Sequence, residues 1–240
     1  MTELLYQTDS YLIKFDARVT ETNQEMHAIL LDRTAFFPGG GGQPYDHGVI
    51  TAGETKYTLK RARSTREGLW HIIAAEGSLP EVGTDVQGEV DWDRRFKVMR
   101  THSAMHVLCG TIFRDYGALV TGGDMEPLRG RMDFEFETLH KDLVQVIEES
   151  VNAEIEKGHD VRVAILPREE AFAIPDLIRT KINLLPDFIK EVRTVEIVGL
   201  DLQADGGTHV HNTKEIGRIR VPDYKSKGKI NKRIYVELEE

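Results

Sequence analysis

Gly83-Thr-Asp-Val-Gln-Gly-Glu-Val-Asp91, followed at once by Trp92-Asp-Arg-Arg-Phe-Lys-Val-Met-Arg-Thr-His-Ser-Ala-Met-His-Val-Leu-Cys-Gly-Thr-Ile112, is where the chain changes period. The first part reads as a last β-strand. From Asp93 onward, Phe96, Met99, Met105, Val107, Leu108 and Ile112 recur with few breakers, which predicts a helix ending near Gly117. Upstream, Tyr11–Phe15, His27–Leu31, Gly48–Thr51, Tyr57–Lys60 and Leu69–Ile73 are short, rich in β-formers and separated by turn residues. Residues 1–92 therefore read as a small β-barrel domain with a glycine-rich loop. Downstream, Leu139, Leu143, Ile147, Val151 and Ile155 recur every four residues and predict a second helix stopped by Gly158. Strands are expected at Asp160–Leu166, Thr194–Leu200, Ile216–Val221 and Ile234–Leu238. Residues 93–240 thus read as an α+β domain with helices packed on an antiparallel sheet.

The 240 residues suffice for one large or two modest domains with a proper core. No apolar run is long enough to span a membrane, and Met1-Thr-Glu-Leu-Leu5 has no secretory pattern. The single cysteine, Cys109, excludes an internal disulfide and fits a reducing compartment, so a soluble cytoplasmic protein is expected. Net charge is −9, which argues against strong non-specific nucleic-acid binding. The charge is uneven, however. Arg218, Arg220, Lys225, Lys227, Lys229, Lys232 and Arg233 face the single acid Asp223 in that stretch, and smaller basic groups occur at Lys56–Arg66 and Arg94–Arg100. A local patch of this kind either binds phosphates in a salt-dependent way or is simply a solvated face.

His102 and His106 lie four residues apart, so one helical face carries both imidazoles one turn apart. Asp205-Gly-Gly-Thr-His209 offers a carboxylate and a third imidazole at the same spacing. Alone, an HxxxH pair is often a surface or core feature. Two such clusters together suggest one divalent metal site, and the lack of several thiolates favours an open catalytic site over a sealed structural one. Cys109 lies about 10.5 Å along the helix axis from His102, too far to share that ion, and reads as buried packing. Arg33-Thr-Ala-Phe-Phe-Pro-Gly-Gly-Gly-Gly-Gln-Pro-Tyr-Asp-His-Gly48 is not a phosphate-cradling P-loop. Its glycines, Gly39, Gly40, Gly41 and Gly42, form either a tight turn between strands or a docking loop.

These stretches carry a resemblance. The Arg33–Gly48 run, Arg100-Thr-His-Ser-Ala-Met-His106, Gly206-Gly-Thr-His-Val-His-Asn-Thr-Lys-Glu-Ile-Gly217 and Lys225-Ser-Lys-Gly-Lys-Ile-Asn-Lys-Arg-Ile-Tyr-Val-Glu-Leu238 occur in this order. Together they resemble the free-standing alanyl-tRNA editing proteins (AlaX-type), relatives of the editing domain of alanyl-tRNA synthetase, and the length is similar to the medium form. The resemblance implies a zinc-dependent trans-editing hydrolase that removes serine, and in some members glycine, from mischarged tRNA for alanine. It implies one zinc ion at His102, His106, Asp205 and His209, with Asp205 standing where the family has cysteine. Aspartate is a competent zinc ligand at roughly 2.0–2.2 Å, although three histidines and a water would also complete a site. On the same analogy Gln43 and the glycine loop help place the acceptor end. A hydroxyl-reading group is expected for serine, with Thr121 and Thr208 as possible partners. The basic tail from Arg218 to Arg233 would meet tRNA, and no membrane or obligate protein partner is implied.

The competing reading is a non-catalytic tRNA-binding module with a structural or lost zinc site. A zinc protease is disfavoured because Ser103 stands where an HExxH motif carries its glutamate.

Overall fold

The computed structural model describes residues 2–74, 77–180 and 189–240. The chain forms two compact units, one of Met1–Gly40 and Pro44–Phe96, the other of Gly41–Gln43 and Lys97–Glu240.

In the first unit six antiparallel strands close into a barrel, in the order Lys14–Asn23, Ala28–Leu31, Leu69–Ala74, Thr55–Ser64, Gly48–Ala52 and Asp85–Val90. The last pairs back onto the first, Phe15 opposite Gly88. Alternation drives this closure: in Asp85–Val90 every second residue is buried. Phe15, Val19, Ile29, Leu31, Phe36, Ile50, Leu59 and Ile73 fill the interior, which is a packed core and not a pore. Two glycines exist for the aromatics: a Cβ at Gly88 would enter the Phe15 ring, and one at Gly48 would strike Phe36. The expected strand at Tyr11–Phe15 begins only at Lys14, because Tyr11 packs against Trp92 and Phe96, with ring centroids 5.3 and 6.4 Å away.

The predicted first helix is α1, Trp92–Tyr116, ended by Gly117 in the left-handed region at φ 64°. It is buried on all sides from Thr101 to Ile112, so it runs through the interior and does not lie on a surface. The second helix, α2, Lys141–Lys157, buries Val144, Ile147, Val151 and Ile155 and stops at left-handed Gly158. Leu139 precedes this helix, whose N-cap is His140.

One antiparallel sheet runs Ile219–Arg220, Asn231–Leu238, Arg129–Glu135, Val120–Glu126, with Tyr224–Ser226 also on Asn231–Leu238. A smaller one runs Val161–Pro167, Glu191–Ile197, Asp201–Ala204. The helix α1 lies so close to the larger sheet that a Cβ at Gly130 would come 2.8 Å from Met105 Sδ. The hairpin Val120–Glu126/Arg129–Glu135 was not expected from composition, since glycine and charge dominate it. The strand expected at Ile216–Val221 shrinks to Ile219–Arg220. Before it, Asn212 and Glu215 form a capping box on a 3-10 turn, Thr213–Ile216.

Candidate metal centre

His102 and His106 project from one face of buried α1, and the turn after Asp201–Ala204 brings Asp205 and His209 to them. One ligand atom from each of the four residues lies within 4.8 Å of all the others, and the three histidines are buried. Asp205 Oδ1 is 3.5 Å from His102 Nε2 and 4.0 Å from His106 Nε2, and Asp205 Oδ2 is 3.0 Å from His209 Nε2. The three Nε2 atoms therefore converge on one carboxylate.

Each Nδ1 faces away from that point and meets a different group. His102 Nδ1 is 2.9 Å from Gln43 Oε1, His106 Nδ1 is 3.3 Å from Asp201 Oδ2, and His209 Nδ1 is 3.1 Å from Ser103 Oγ. Such outward partners fix ring orientation and leave the inward nitrogen for a metal. Asp201 is itself held, by Gln203 Nε2 at 2.6 Å and Arg179 Nε at 3.4 Å. Ser103 Oγ also accepts the Val210 N–H. Asp205 accepts the Gly207 N–H at 2.7 Å, and Arg193 Nη1 lies 3.6 Å from its Oδ2 while donating to its backbone carbonyl.

Burial, and then the neighbouring His209, push the His102 pKa well below its usual value, despite Asp205. Burial likewise takes His209 down to about 4. His106 differs: burial lowers its pKa, but the bond to Asp201 and the charge of Asp205 outweigh it, so the net shift is upward. Burial alone would raise the Asp205 pKa; the three histidines overcome it and hold the carboxyl well below its usual range. Neutral His102 and His209 with anionic Asp205 are the forms that bind a metal ion. The donor set, its burial and its outward anchoring fit a single divalent ion.

The remaining sequence-singled residues are distributed as follows. Gln43 is buried against His102 and Thr208, and Thr208 is fully buried, accepting from Gln43 Nε2 at 2.9 Å. Gly39, Gly40, Gly41 and Gly42 all have positive φ, at 86°, 147°, 59° and 88°, which accounts for four consecutive glycines. A Cβ at Gly42 would also come 3.0 Å from the Gly123 carbonyl. Thr121 is exposed on Val120–Glu126 and donates to Asn231 Oδ1 at 2.9 Å. In the basic tail, Arg218, Arg220, Lys225, Lys227 and Lys229 are exposed. Lys232 is buried with its ammonium on the Gly228 and Lys229 carbonyls, and Arg233 grips Asp133 with two bonds of 2.6 and 2.8 Å. Arg95, grouped by sequence with surface bases, is buried in the first unit against Asp46. Cys109 is buried, and burial raises its thiol above the usual range.

Sequence reasoning did not single out Asp201, Ser103 or Arg193 as site residues. Ser103 was visible only as the residue that is not a protease glutamate. Asp201 stands four residues before Asp205, but on a strand that spacing carries no ligand signature.

The barrel, the helix-and-sheet unit and the buried N3O cluster define a two-unit α+β protein with a residue cluster that could hold a metal ion. The chain belongs to the AlaX-M family of alanyl-tRNA editing proteins. It is 42% identical to the alanyl-tRNA editing protein AlaX-M of Saccharolobus solfataricus, covering 98% of both chains. It is 36% identical to that of Methanosarcina mazei, over 99% of this chain and 97% of the relative. An alanine–tRNA ligase from Ignicoccus hospitalis is 35% identical over 92% of this chain but only 24% of the ligase. Family models described as tRNA synthetases class II (A) and as Threonyl and Alanyl tRNA synthetase second additional domain match residues 8–94 and 192–235.

Proposed function

We propose that this protein is a cytoplasmic trans-editing deacylase, which hydrolyses the ester of tRNA for alanine mischarged with serine, and with glycine as a second substrate. Full-length similarity to proteins named for alanyl-tRNA editing supports the reaction. The observation that carries the chemistry is the convergence of His102, His106, Asp205 and His209. These four residues would hold one zinc ion, Asp205 taking the place of the family's cysteine. Zinc bound there supplies Lewis acidity, either by lowering the pKa of water or by polarising the ester carbonyl. Asp201 and Ser103 keep the His106 and His209 rings turned inward.

In this reading residues 93–240 are the editing domain, and residues 1–92 are the barrel domain with the glycine loop. Gly40 and Gly41 are exposed, with nothing within 4 Å of a would-be Cβ, so their backbone is open to the acceptor end. Thr121 gives its proton to Asn231 and keeps oxygen lone pairs free to accept from a seryl hydroxyl. Thr208 belongs to the framework, being fully buried on Gln43. Among the tail residues, exposed Arg218, Arg220, Lys225, Lys227 and Lys229 contact tRNA phosphates, whereas Lys232 and Arg233 hold the strand.

Release of amino acid from seryl-, glycyl- and alanyl-tRNA, before and after chelation and zinc return, tests the proposal. Zinc-dependent loss of serine with alanine spared is expected. Binding of tRNA without turnover, in the zinc-loaded protein, would leave a binding module instead.

A further inference from the structure

Gln43 ends the glycine loop and belongs to the second unit, where its side chain meets His102 and Thr208. Its amide is buried, and its hydrogen-bond directions follow from its neighbours. The Thr208 backbone N–H, a donor only, lies 3.0 Å from one amide atom, which must therefore be the oxygen Oε1. The other amide atom is then the NH2 group, 2.9 Å from Thr208 Oγ1. Because Oε1 can only accept, His102 Nδ1 at 2.9 Å must carry the ring proton. A neutral imidazole with its proton on Nδ1 has its lone pair on Nε2, the atom that points at Asp205.

The amide is closely surrounded. Gly207 passes so close that a Cβ there would overlap Gln43 Oε1 and the His102 ring. The preceding residue is tied as well, since the Met125 N–H donates to the Gly42 carbonyl at 3.1 Å. The tripeptide Gly41–Gln43 is part of the second unit.

We propose that Gln43 is a positioning residue of the metal centre: its carboxamide sets the His102 tautomer and so couples the conformation of the glycine loop to metal affinity. This assigns Gln43 to the metal site and not to substrate contact. It rests on the metal reading above. The coupling is reciprocal: an ion that binds His102 Nε2 also favours the loop conformation that keeps Gln43 in place.

The test uses the full-length protein and zinc itself. Gln43→Met keeps the volume and removes the acceptor; Gln43→Glu keeps an acceptor of greater charge. Zinc dissociation constants, measured by chelator competition, should rise about 10- to 100-fold in Gln43→Met and should equal or fall below wild type in Gln43→Glu. Histidine nitrogen NMR of the zinc-loaded wild type should find the His102 proton on Nδ1. A deacylation deficit in Gln43→Met should shrink as zinc is raised. Wild-type zinc affinity in Gln43→Met, with a raised KM for tRNA, would overturn the inference in favour of a substrate contact. Equal loss of affinity in both variants would overturn it in favour of simple packing. If wild type binds no zinc, the metal reading itself fails and takes this inference with it.

Discussion

In the barrel, His71 is fully buried on Leu69–Ala74, its Nε2 2.9 Å from Thr34 Oγ1 and its ring edge-on to Phe36. In the second unit, His102, His106 and His209 are also buried, yet their inward nitrogens point at one another and at Asp205. The barrel also buries a charge pair, but closes it: Arg95 grips both oxygens of Asp46 and donates to the Ser10 and Ala35 carbonyls at 2.9 and 2.7 Å. Asp205 instead keeps Oδ1 facing imidazoles at 3.5 and 4.0 Å, distances open to an inserted ion. Burial of polar groups is common to both units. A site is distinguished by convergence: three imidazole nitrogens share one carboxylate.

The strongest way to break this contrast is to remove one histidine from each set. His106→Ala should abolish stoichiometric zinc binding and lower deacylation by about a thousand-fold or more, since several kcal/mol of electrostatic stabilisation goes with the ion. His71→Gln should leave zinc content and turnover near wild type. Metal analysis alongside single-turnover deacylation reads both. Equal losses would erase the distinction between the two kinds of buried histidine.

The closed pair in the barrel makes the next largest prediction. Arg95→Met strands the buried Asp46 carboxylate, whose other oxygen contacts include the Phe37 N–H at 2.6 Å. Losing one partner of a buried pair costs about 3–5 kcal/mol. Urea denaturation should show that loss, while zinc affinity of the folded fraction stays unchanged.

A third prediction uses pH. Burial holds the His71 pKa at about 4 in the folded barrel, against 6.5 for an ordinary histidine. Between those values the unfolded chain binds a proton that the folded one refuses, so stability falls as pH drops from 6.5 towards 4. The full effect is about 3 kcal/mol. His71→Gln should remove that share of the slope. In zinc-free protein His209, also lowered to about 4, adds a similar share from the second unit. Stability curves with the same acid slope in wild type and His71→Gln would refute the assignment.

The same contrast explains what was legible in the sequence. The barrel strands announce themselves because one face is apolar and the other wet, as in Asp85–Val90. The His102 and His106 pair is visible because helical geometry ties a four-residue spacing to one face, and Gly207, in the loop between Asp205 and His209, marks a close approach. The hairpin 120–135 is not visible, since Val-Thr-Gly-Gly-Asp has little strand preference and pairs through its neighbours. Asp201, Ser103 and the inward role of Gln43 are hidden for a related reason: each acts on a ring nitrogen contributed by a residue 59 to 106 positions away. No local pattern encodes such a meeting.

The smallest effect is expected in the basic tail, where the contrast between closed and open charges recurs. Lys229 is exposed, and among the described residues only its backbone carbonyl is engaged, by Lys232. Arg233 is closed on Asp133. If tRNA phosphates are met by the open charges, Lys229→Ala should weaken tRNA binding a few-fold and reduce the dependence of log K on log salt by about 0.7–0.9, one phosphate contact. Arg233→Ala should change stability through Asp133 while leaving the salt slope of binding intact. Binding isotherms for tRNA across a salt series separate the two. A slope reduced by Arg233→Ala but not by Lys229→Ala would mean that the strand itself, and not its exposed loop, lies against the nucleic acid.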